Sequence, residues 1–218
     1  MVLNTLLLGR CGYEEALEIQ YKVLEKRQQN GIADTLILVE HPPVITLGRQ
    51  ALPENITVSE KVILDQGIDI YRTNRGGDVT YHGYGQIVGY PIVNLREKRM
   101  GIRQFVESLE EVFIELLEYE YSIQAGRNPE HTGVWVGDEK IAAIGLAVKK
   151  SVTMHGFAFN VNTWLEHFNL IVPCGIKDKG VTSLQHLLNK RADMEAVSQL
   201  VLKYFVKILR YEGYKVIN

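Results

Sequence analysis

Three strand-like segments in succession, between residues 134 and 161, constrain the fold of this chain more than any other feature. Val134–Val136 and Lys140–Val148 are apolar runs joined at Gly137-Asp138, and Val152–Val161 follows after a second short break. Short apolar runs separated by such breaks are typical of strands linked by hairpins. Because predicted strands outnumber predicted helices, the sequence favours an α+β fold, with a mainly antiparallel or mixed sheet and helices on one of its faces.

The remaining elements follow from local patterns of apolar residues. Further strands are predicted at Val2–Leu8, Thr35–Glu40, Val44–Leu47, Ile68–Arg72 and Gln86–Leu95, and helices at Tyr13–Gln29, Glu60–Asp65, Ile102–Leu116 and Ala192–Tyr211. Pro91 lies inside the strand predicted from residue 86, which indicates an edge strand or a bulge. No change in composition marks a domain boundary, so residues 1–218 are predicted to form one domain. The tail after about Gly180 is also compatible with a small subdomain.

Composition and charge exclude several classes of protein. The 218 residues carry a net charge of −2, which gives no overall electrostatic footprint for nucleic acid. The N-terminus lacks the pattern of a signal peptide, and no segment is apolar for long enough to span a membrane. Two cysteines are too few for a disulfide framework. We therefore expect a cytoplasmic protein with no nucleic-acid or membrane partner.

Cys174 is the first candidate for chemistry. It lies in the segment NLIVPCGIKDKG, where an apolar run leads into a loop and Pro173 and Gly175 flank the thiol. Proline fixes the backbone, and glycine lets a ligand approach closely. This setting suits a nucleophile, although free cysteines are more often small buried hydrophobes. The second cysteine, Cys11, is predicted to be structural.

The second candidate segment is RGGDVTYHGYGQ, from Arg75 to Gln86, with four glycines among twelve residues. Alternation from residue 78 to 82 places Val79 and Tyr81 on one side and Thr80 and His82 on the other. Polar groups and bare backbone on one ledge would suit a thioester carbonyl or a carboxylate, whereas a glycine-rich hairpin is the purely structural interpretation. The segment matches neither the Walker A loop nor the dinucleotide-binding pattern.

The third segment is GVWVGDEKIAAIG, in which Lys140 follows a tight turn and small residues follow Lys140. A lysine in this position is usually a solvated charge, and small residues in a strand usually indicate close packing. They also leave room for a ligand chain. Gly156-Phe157-Ala158 repeats the pattern in the next strand, so Gly145 and Gly156 are predicted to line a slot if the two strands are adjacent.

The histidines give no metal-binding pattern, since neither HExxH nor a Cys/His zinc spacing is present. No metal and no cofactor are predicted. Ordinary packing or solvation is expected for five histidines: His41, His131, His155, His167 and His186.

In this order, the segments RGGDVTYHGYGQ, GDEKIAAIG and PCGIKDKGVTSL resemble the lipoate–protein ligase B family of octanoyl-[acyl-carrier-protein]:protein octanoyltransferases. HPPVITLGR, from His41 to Arg49, is similar to an upstream segment of that family. The likeness extends from the first strand to about Leu184. Tyr84 stands where the family often has proline.

The resemblance implies the fold of biotin and lipoate protein ligases and a set of residue roles. Cys174 would carry the acyl group and Lys140 would be its partner. The residues implied to line the acyl site are Arg75, Gly76, Gly77, Asp78, Val79, Thr80, Tyr81, His82, Ala143, Ile144, Gly145, Gly156, Phe157 and Ala158. The implied donor is octanoyl-acyl carrier protein. The implied acceptors are lipoyl domains of 2-oxoacid dehydrogenase complexes and the glycine cleavage H protein.

On this hypothesis the octanoyl group passes from the carrier to Cys174 and then to a lysine of the lipoyl domain, without ATP. Three alternatives remain open on the sequence: an ATP-dependent lipoate or biotin ligase, a non-catalytic module that binds lipoyl domains or acyl carriers, and a cysteine hydrolase of thioesters. Lys177 and Lys179 are nearer to Cys174 in sequence than Lys140 is, and they remain alternative partners for the thiol.

Overall fold

A computed structural model describes residues 1–176 and 179–217, with the side chain of Cys174 also outside the described part. The described strands are β1 Val2–Arg10, β2 Thr35–Glu40, β3 Val44–Leu47, β4 Asp69–Arg72, β5 Val79–His82, β6 Gln86–Ile92, β7 Gly126–Arg127, β8 Val134–Val136, β9 Glu139–Lys149, β10 Val152–Asn160, β11 Gly180–Val181 and β12 Gly213–Val216. The α-helices are α1 Tyr13–Gln28, α2 Glu60–Asp65, α3 Ile102–Tyr121, α4 Leu184–Leu188 and α5 Met194–Ile208. Short 3₁₀ turns cover Pro53–Asn55, Leu165–Leu170 and Pro173–Gly175.

The main sheet has the strand order β12-β1-β2-β6-β10-β9-β8-β7, with β11 paired to β9. The pairs β1–β12, β1–β2 and β11–β9 are parallel, and the other pairs are antiparallel. A second sheet of three strands, in the order β4-β3-β5, lies beside it. The predicted hairpin series from residue 134 to 161 is confirmed as β8, β9 and β10. The mixed sheet therefore agrees with the expected fold class.

Helices cover both faces of the main sheet, so the prediction of helices on one face was wrong. Side chains alternate along β2: Leu36 and Leu38 contact the core beneath α3 and α5, whereas Ile37 and Val39 contact the core beneath α1. Both kinds of position are apolar, and this is the pattern of a strand that is buried on both faces. The apolar residues at both kinds of position in β2 therefore indicate a sheet that is covered on both faces, which the helix patterns alone did not.

Pro91 lies in β6, which is a central strand between β2 and β10, and not at an edge. The ladder between β6 and β10 stops at Gly89 and resumes at the bridge between Asn94 and Val152. Proline lacks the N–H that a continuous ladder would need. The interruption, where His155 has a positive φ of 55°, is the irregularity that the proline requires.

The chain after Gly180 packs against earlier parts of the chain. Leu202 and Phe205 of α5 lie in one core with Phe105 and Phe113 of α3. The last strand, β12, pairs with β1. None of the described helices is long and apolar enough to cross a membrane.

Candidate active site

A slot runs between the α1 face of the main sheet and the small sheet, and its volume of about 490 Å³ includes space that is open to solvent. We call this cavity the slot. It is lined by Tyr13, Arg75, Gly76, Gly77, Thr80, His82, Val88, Tyr90, Ala143, Ile144, Gly145, His155, Gly156, Phe157 and Ala158. Most residues that the sequence grouped together therefore meet here, although they come from three separate segments.

The strands β9 and β10 form the floor of the slot. Ala158 pairs with Ala143, and Gly156 pairs with Gly145. The predicted adjacency of the two glycines is confirmed. The glycines are needed for close backbone contact: a β-carbon at Gly156 would lie 2.1 Å from the carbonyl oxygen of Gly89. The two alanines present the side chains that border the open space.

A bulge in β9 brings Lys140 to the slot face of the sheet. Trp135 pairs with Lys140 but Val134 pairs with Ala142, so β9 contains one extra residue at this point. Ile141 and Ala142 both point into the core beneath α3. Lys140 and Ala143 consequently share the opposite face although they are three positions apart.

A second, smaller cavity has a volume of about 290 Å³, which includes space open to solvent, and Thr80, Ala143 and Ala158 line both this cavity and the slot. We call it the end cavity. Its remaining lining residues are Gln86, Lys140, Asn160, Phe168, Pro173 and Val181. The structure therefore brings Lys140 and the residue that precedes Cys174 to one space, and three residues that line this space also line the slot.

Lys140 is 6% exposed, so the solvated surface charge considered from the sequence is not what the structure shows. Its Nζ lies 4.8 Å from the centroid of the Trp135 ring, in cation–π geometry. The alternative partner Lys179 forms an ion pair with Asp138, and Lys177 lies outside the described residues.

The strand β5 supplies the opposite wall of the slot. Thr80 and His82 face the open space, as the alternation predicted. Val79 and Tyr81 point the other way, into the core of the small sheet, where the Tyr81 hydroxyl contacts Nδ1 of His167 at 2.8 Å. These two side chains do not border the slot.

The Arg75 guanidinium is buried beside the slot and is held by Thr46. Its Nε and Nη2 donate to the Thr46 hydroxyl at 3.2 and 3.0 Å, and Nη2 also donates to the Thr46 carbonyl at 2.6 Å. The next residue, Gly76, donates its N–H to the carbonyl of Leu146 at 2.8 Å. The glycine-rich segment is thereby fastened directly to β9.

Asp78 supports the loop of Cys174 and does not border the slot. Its carboxylate accepts hydrogen bonds from the backbone N–H of Val79, at 2.7 Å, and from the side chain of Asn55. The backbone carbonyl of Asn55 in turn accepts from the N–H of Val172, just before the 3₁₀ turn at residues 173–175. The Cys174 side chain is outside the described part, and these contacts hold the backbone of Val172, two residues before it.

Four lining residues of the slot were missed from the sequence: Tyr13, Val88, Tyr90 and His155. His155 had been assigned to ordinary packing, yet it borders the slot and its Nε2 lies 2.6 Å from Oδ1 of Asn74. Asn160 in the end cavity was missed as well. Its position two residues after Ala158, and four after Gly156, would have revealed it.

Burial keeps the histidines around the slot neutral. Burial, followed by the nearby His41, Arg75 and His155, lowers the pKa of His82 to about 3. Burial, followed by the Arg75 charge, lowers the pKa of His155 to about 4. Among the residues that the structure describes, no group of three His, Cys, Asp or Glu side chains is arranged to hold a metal ion.

Solved structures share this architecture. A lipoate-protein ligase A bound with ATP matches with a TM-score of 0.80 and 18% identity, over 100% of this chain and 90% of that chain. A bipartite lipoate protein ligase from Thermoplasma acidophilum, described with its E2 lipoyl domain, matches with a TM-score of 0.75 and 16% identity, over 100% and 88%. A biotin protein ligase from Aquifex aeolicus matches with a TM-score of 0.54 and 16% identity, over 96% and 70%. The expected fold of biotin and lipoate ligases is confirmed.

Sequence relatives are much closer. An octanoyltransferase of Alkaliphilus metalliredigens is 57% identical over 97% of this chain and 97% of that protein. An octanoyltransferase of Desulforamulus reducens is 54% identical over 94% and 90%. Residues 12–206 match the sequence model of the lipoyl protein ligase A/B catalytic domain. This protein therefore belongs to the lipoyl protein ligase A/B catalytic domain family.

Proposed function

We propose that this protein transfers an octanoyl group from an acyl carrier protein to a lysine of a lipoyl domain, through a thioester on Cys174. The observation that carries the proposal is the end cavity, where Lys140 and Pro173 border one space whose lining residues Thr80, Ala143 and Ala158 also line the slot. Octanoyl transfer is also the activity named for both relatives described above.

In the first half-reaction the Cys174 thiolate attacks the octanoyl thioester carbonyl. The bond between the carbonyl carbon and the carrier sulfur breaks, and the Lys140 ammonium gives a proton to the departing thiolate. A free thiol is only a few per cent ionised near neutral pH, and a nearby ammonium favours the thiolate. The buried position of Lys140 suits it to this role, because charges interact more strongly away from water.

In the second half-reaction the neutral amine of the target lysine attacks the thioester on Cys174. The bond to the Cys174 sulfur breaks, an amide forms, and Lys140, now neutral, takes the proton that the amine loses. The starting thiolate and ammonium are restored. Exchange between thioesters is nearly neutral in energy and formation of an amide from a thioester is favourable, so the cycle has no need of ATP.

The slot has the chemistry expected for the acyl chain. We assign the acyl site to Arg75 to Gly77, Thr80, His82, Ala143 to Gly145 and Gly156 to Ala158, and Thr80, Ala143 and Ala158 also line the end cavity. Burial of the seven methylene and methyl groups of octanoate offers at most about 5–6 kcal/mol. Seven groups of nearly equal contribution imply graded selection for chain length.

The partners and the location follow from this chemistry. The donor would be octanoyl-acyl carrier protein, and the acceptors would be lipoyl domains of 2-oxoacid dehydrogenase complexes and the glycine cleavage H protein. The Thermoplasma ligase of similar fold belongs to a lipoylation system with an E2 lipoyl domain. We infer that residues 1–218 act as one catalytic domain and that the protein is cytoplasmic, where thiols stay reduced.

The test is to incubate the protein with octanoyl-acyl carrier protein without ATP and to measure its intact mass after an acid quench. We expect one octanoyl adduct that hydroxylamine removes and that Cys174→Ala abolishes. Cys11→Ala is the matched control and should keep the adduct, because Cys11 is buried and burial raises its thiol pKa to about 11.

One further variant and two further observations separate the alternatives. Lys140→Met should slow formation of the adduct, since it removes the proton donor. If transfer to a lipoyl domain required ATP, the protein would be a ligase and the thioester mechanism would be wrong. If water and not the lysine released the adduct, the protein would be a thioester hydrolase.

A further inference from the structure

A continuous series of buried hydrogen bonds crosses the wall of the slot, from Arg75 to the backbone carbonyl of Thr182. The Arg75 guanidinium contacts the Thr46 hydroxyl at 3.0 Å, and this hydroxyl lies 3.4 Å from Nε2 of His82. Nδ1 of His82 lies 2.8 Å from Oε1 of Gln86. The Gln86 amide continues to Oδ1 of Asn160 at 2.8 Å, and Asn160 Nδ2 reaches the carbonyl of Thr182 at 3.0 Å. We call this series the donor chain.

The carbonyl end of the donor chain determines the orientation of both amides. A backbone carbonyl can only accept, so Asn160 must present its NH₂ group to Thr182 and its oxygen to Gln86. Gln86 must then present its NH₂ group to Asn160. The same NH₂ group also donates to the carbonyl of Tyr81 at 3.2 Å, which agrees with this orientation. The oxygen of Gln86 is left facing Nδ1 of His82, which must therefore carry a hydrogen.

The arginine end gives the same direction independently. Arginine has donors and no acceptor, so the lone pairs of the Thr46 hydroxyl are used by Arg75. The one hydroxyl hydrogen of Thr46 then points to the unprotonated Nε2 of His82. Both ends of the donor chain require His82 to be neutral, with its hydrogen on Nδ1.

Protonation of His82 would put a hydrogen on Nε2 and leave two donors facing each other at Thr46. The surroundings oppose it as well. The charged and titratable groups packed around the ring come from every neighbouring element, namely Tyr13, His41, Arg75, Tyr90 and His155. None of these side chains carries a negative charge at neutral pH that would stabilise an imidazolium. Burial also keeps the pKa of His82 well below that of an exposed histidine.

We propose that Gln86 is a positioning residue that locks His82 as the neutral Nδ1–H tautomer, so that His82 is a fixed wall of the slot and takes no part in proton transfer. Gln86 is suited to this role because the short β5–β6 turn places it four residues after His82, and because it also borders the end cavity. The lock holds the Thr46 hydroxyl and therefore the Arg75 guanidinium in place. Proton transfer in the proposed function is then left to Lys140.

The tautomer can be measured without any substrate. In protein labelled with ¹⁵N-histidine, the imidazole nitrogen shifts of His82, assigned from the spectrum of His82→Asn, should be those of the Nδ1–H tautomer. They should stay unchanged from about pH 5 to about pH 9. A proton on Nε2, or a titration of His82 within that range, would overturn the proposal.

Gln86→Glu supplies the functional arm. A carboxylate still accepts from His82 Nδ1–H, but it cannot donate to Asn160 or to Tyr81, and its charge favours the imidazolium. We expect His82 to begin to titrate in this range, kcat to fall by about tenfold or more with a new pH dependence, and KM to change less. Gln104→Glu, on the exposed face of α3, is the matched control and should leave both the spectrum and the rate unchanged. An unaltered His82 titration in Gln86→Glu would refute the role of Gln86.

The activity readout of this inference rests on the proposed function, but the tautomer readout does not. A protein that shows the Nδ1–H tautomer and forms no acyl adduct would retain the lock and refute the octanoyl mechanism. A protein that forms the acyl adduct but carries the His82 hydrogen on Nε2 would retain the octanoyl mechanism and refute the lock.

Discussion

A carboxylate oxygen of Asp78 lies 2.9 Å from the position that a β-carbon would take on Gly175. Gly175 has a φ of +71°, in the left-handed region. The glycine-rich segment and the turn that carries Cys174 therefore meet without room for a side chain. Asn55 joins the contact, since its amide donates to the same Asp78 oxygen. The position of Cys174 depends on this close approach.

We expect Gly175→Ala to slow formation of the acyl-enzyme and to lower stability by about 1–2 kcal/mol from the left-handed backbone alone. Gly67→Ala is the matched control. Its φ is +70° but no atom lies within 4 Å of the added carbon, so it should lose similar stability and keep its rate. Urea unfolding and timed intact-mass measurements give the two quantities. Equal rates in both variants would mean that the Asp78 contact is unimportant for catalysis.

The ring of Trp135 holds the ammonium of Lys140. A cation–π contact between buried groups is worth about 1–2 kcal/mol, so Trp135→Leu should lower kcat by about five- to thirtyfold. Trp135→Phe keeps an aromatic face and should lose less. The comparison is made in steady-state transfer assays with saturating substrates. If kcat fell as much in Trp135→Phe as in Trp135→Leu, the effect would be due to packing and not to the aromatic ring.

Ala158 lies opposite Ala143 where the slot meets the end cavity. Ala158→Leu fills part of this junction, and we expect it to shift the preference from octanoyl toward shorter donors. Each methylene that is no longer buried should cost about 0.8 kcal/mol, or roughly fourfold in kcat/KM. Competition between octanoyl and hexanoyl carriers measures the ratio. Ala147→Leu, on the same face of β9 but outside the slot, should leave the ratio unchanged.

His41 makes stability depend on pH. It is fully buried, its Nδ1 lies 2.8 Å from the Cys11 carbonyl, its Nε2 lies 2.7 Å from the Tyr90 hydroxyl, and burial lowers its pKa to about 4. Because the unfolded chain binds the proton at a higher pH, this stability is complete above about pH 6.5 and is lost as the pH falls toward 4. We expect a slope of up to about 1.4 kcal/mol per pH unit from this residue.

Urea unfolding at several pH values, compared between the wild-type protein and His41→Gln, measures this slope. The wild-type protein should lose stability faster than the variant between about pH 6 and about pH 4. If the free energy of unfolding changed equally with pH in the two proteins, the pKa of His41 would not differ between the folded and unfolded states.

Local sequence patterns were enough to find most elements of the fold. The bounds predicted for β2, β3 and α2 agree with the structure, because apolar runs are local features and so is the cap of α2, where the Ser59 side chain accepts a hydrogen bond from the N–H of Val62. The pairing of β12 with β1 joins residues more than two hundred positions apart, and no local pattern specifies it. The assignment of α1 to the second face fails for the same reason, since it depends on which strands become neighbours.

In the candidate site, too, local sequence predicted some features, and others depend on contacts between distant segments. Motif resemblance named Lys140, but the run Ile141-Ala142-Ala143-Ile144 is apolar or small throughout and conceals which residues share a face. Only the pairing with β8 reveals the extra residue. His155 and Tyr13 were missed because nothing in their own segments relates them to Arg75. They reach the slot through tertiary packing.

The bulge in β9 has a consequence for any attempt to redesign this protein. Insertion of one residue into β8 opposite Ile141 would restore regular pairing between the two strands. Regular alternation would then turn Lys140 toward the core beneath α3 while Ala143 and Gly145 kept their places. A more regular sheet would leave the slot intact and take its ammonium away, so the proposed mechanism depends on the irregularity.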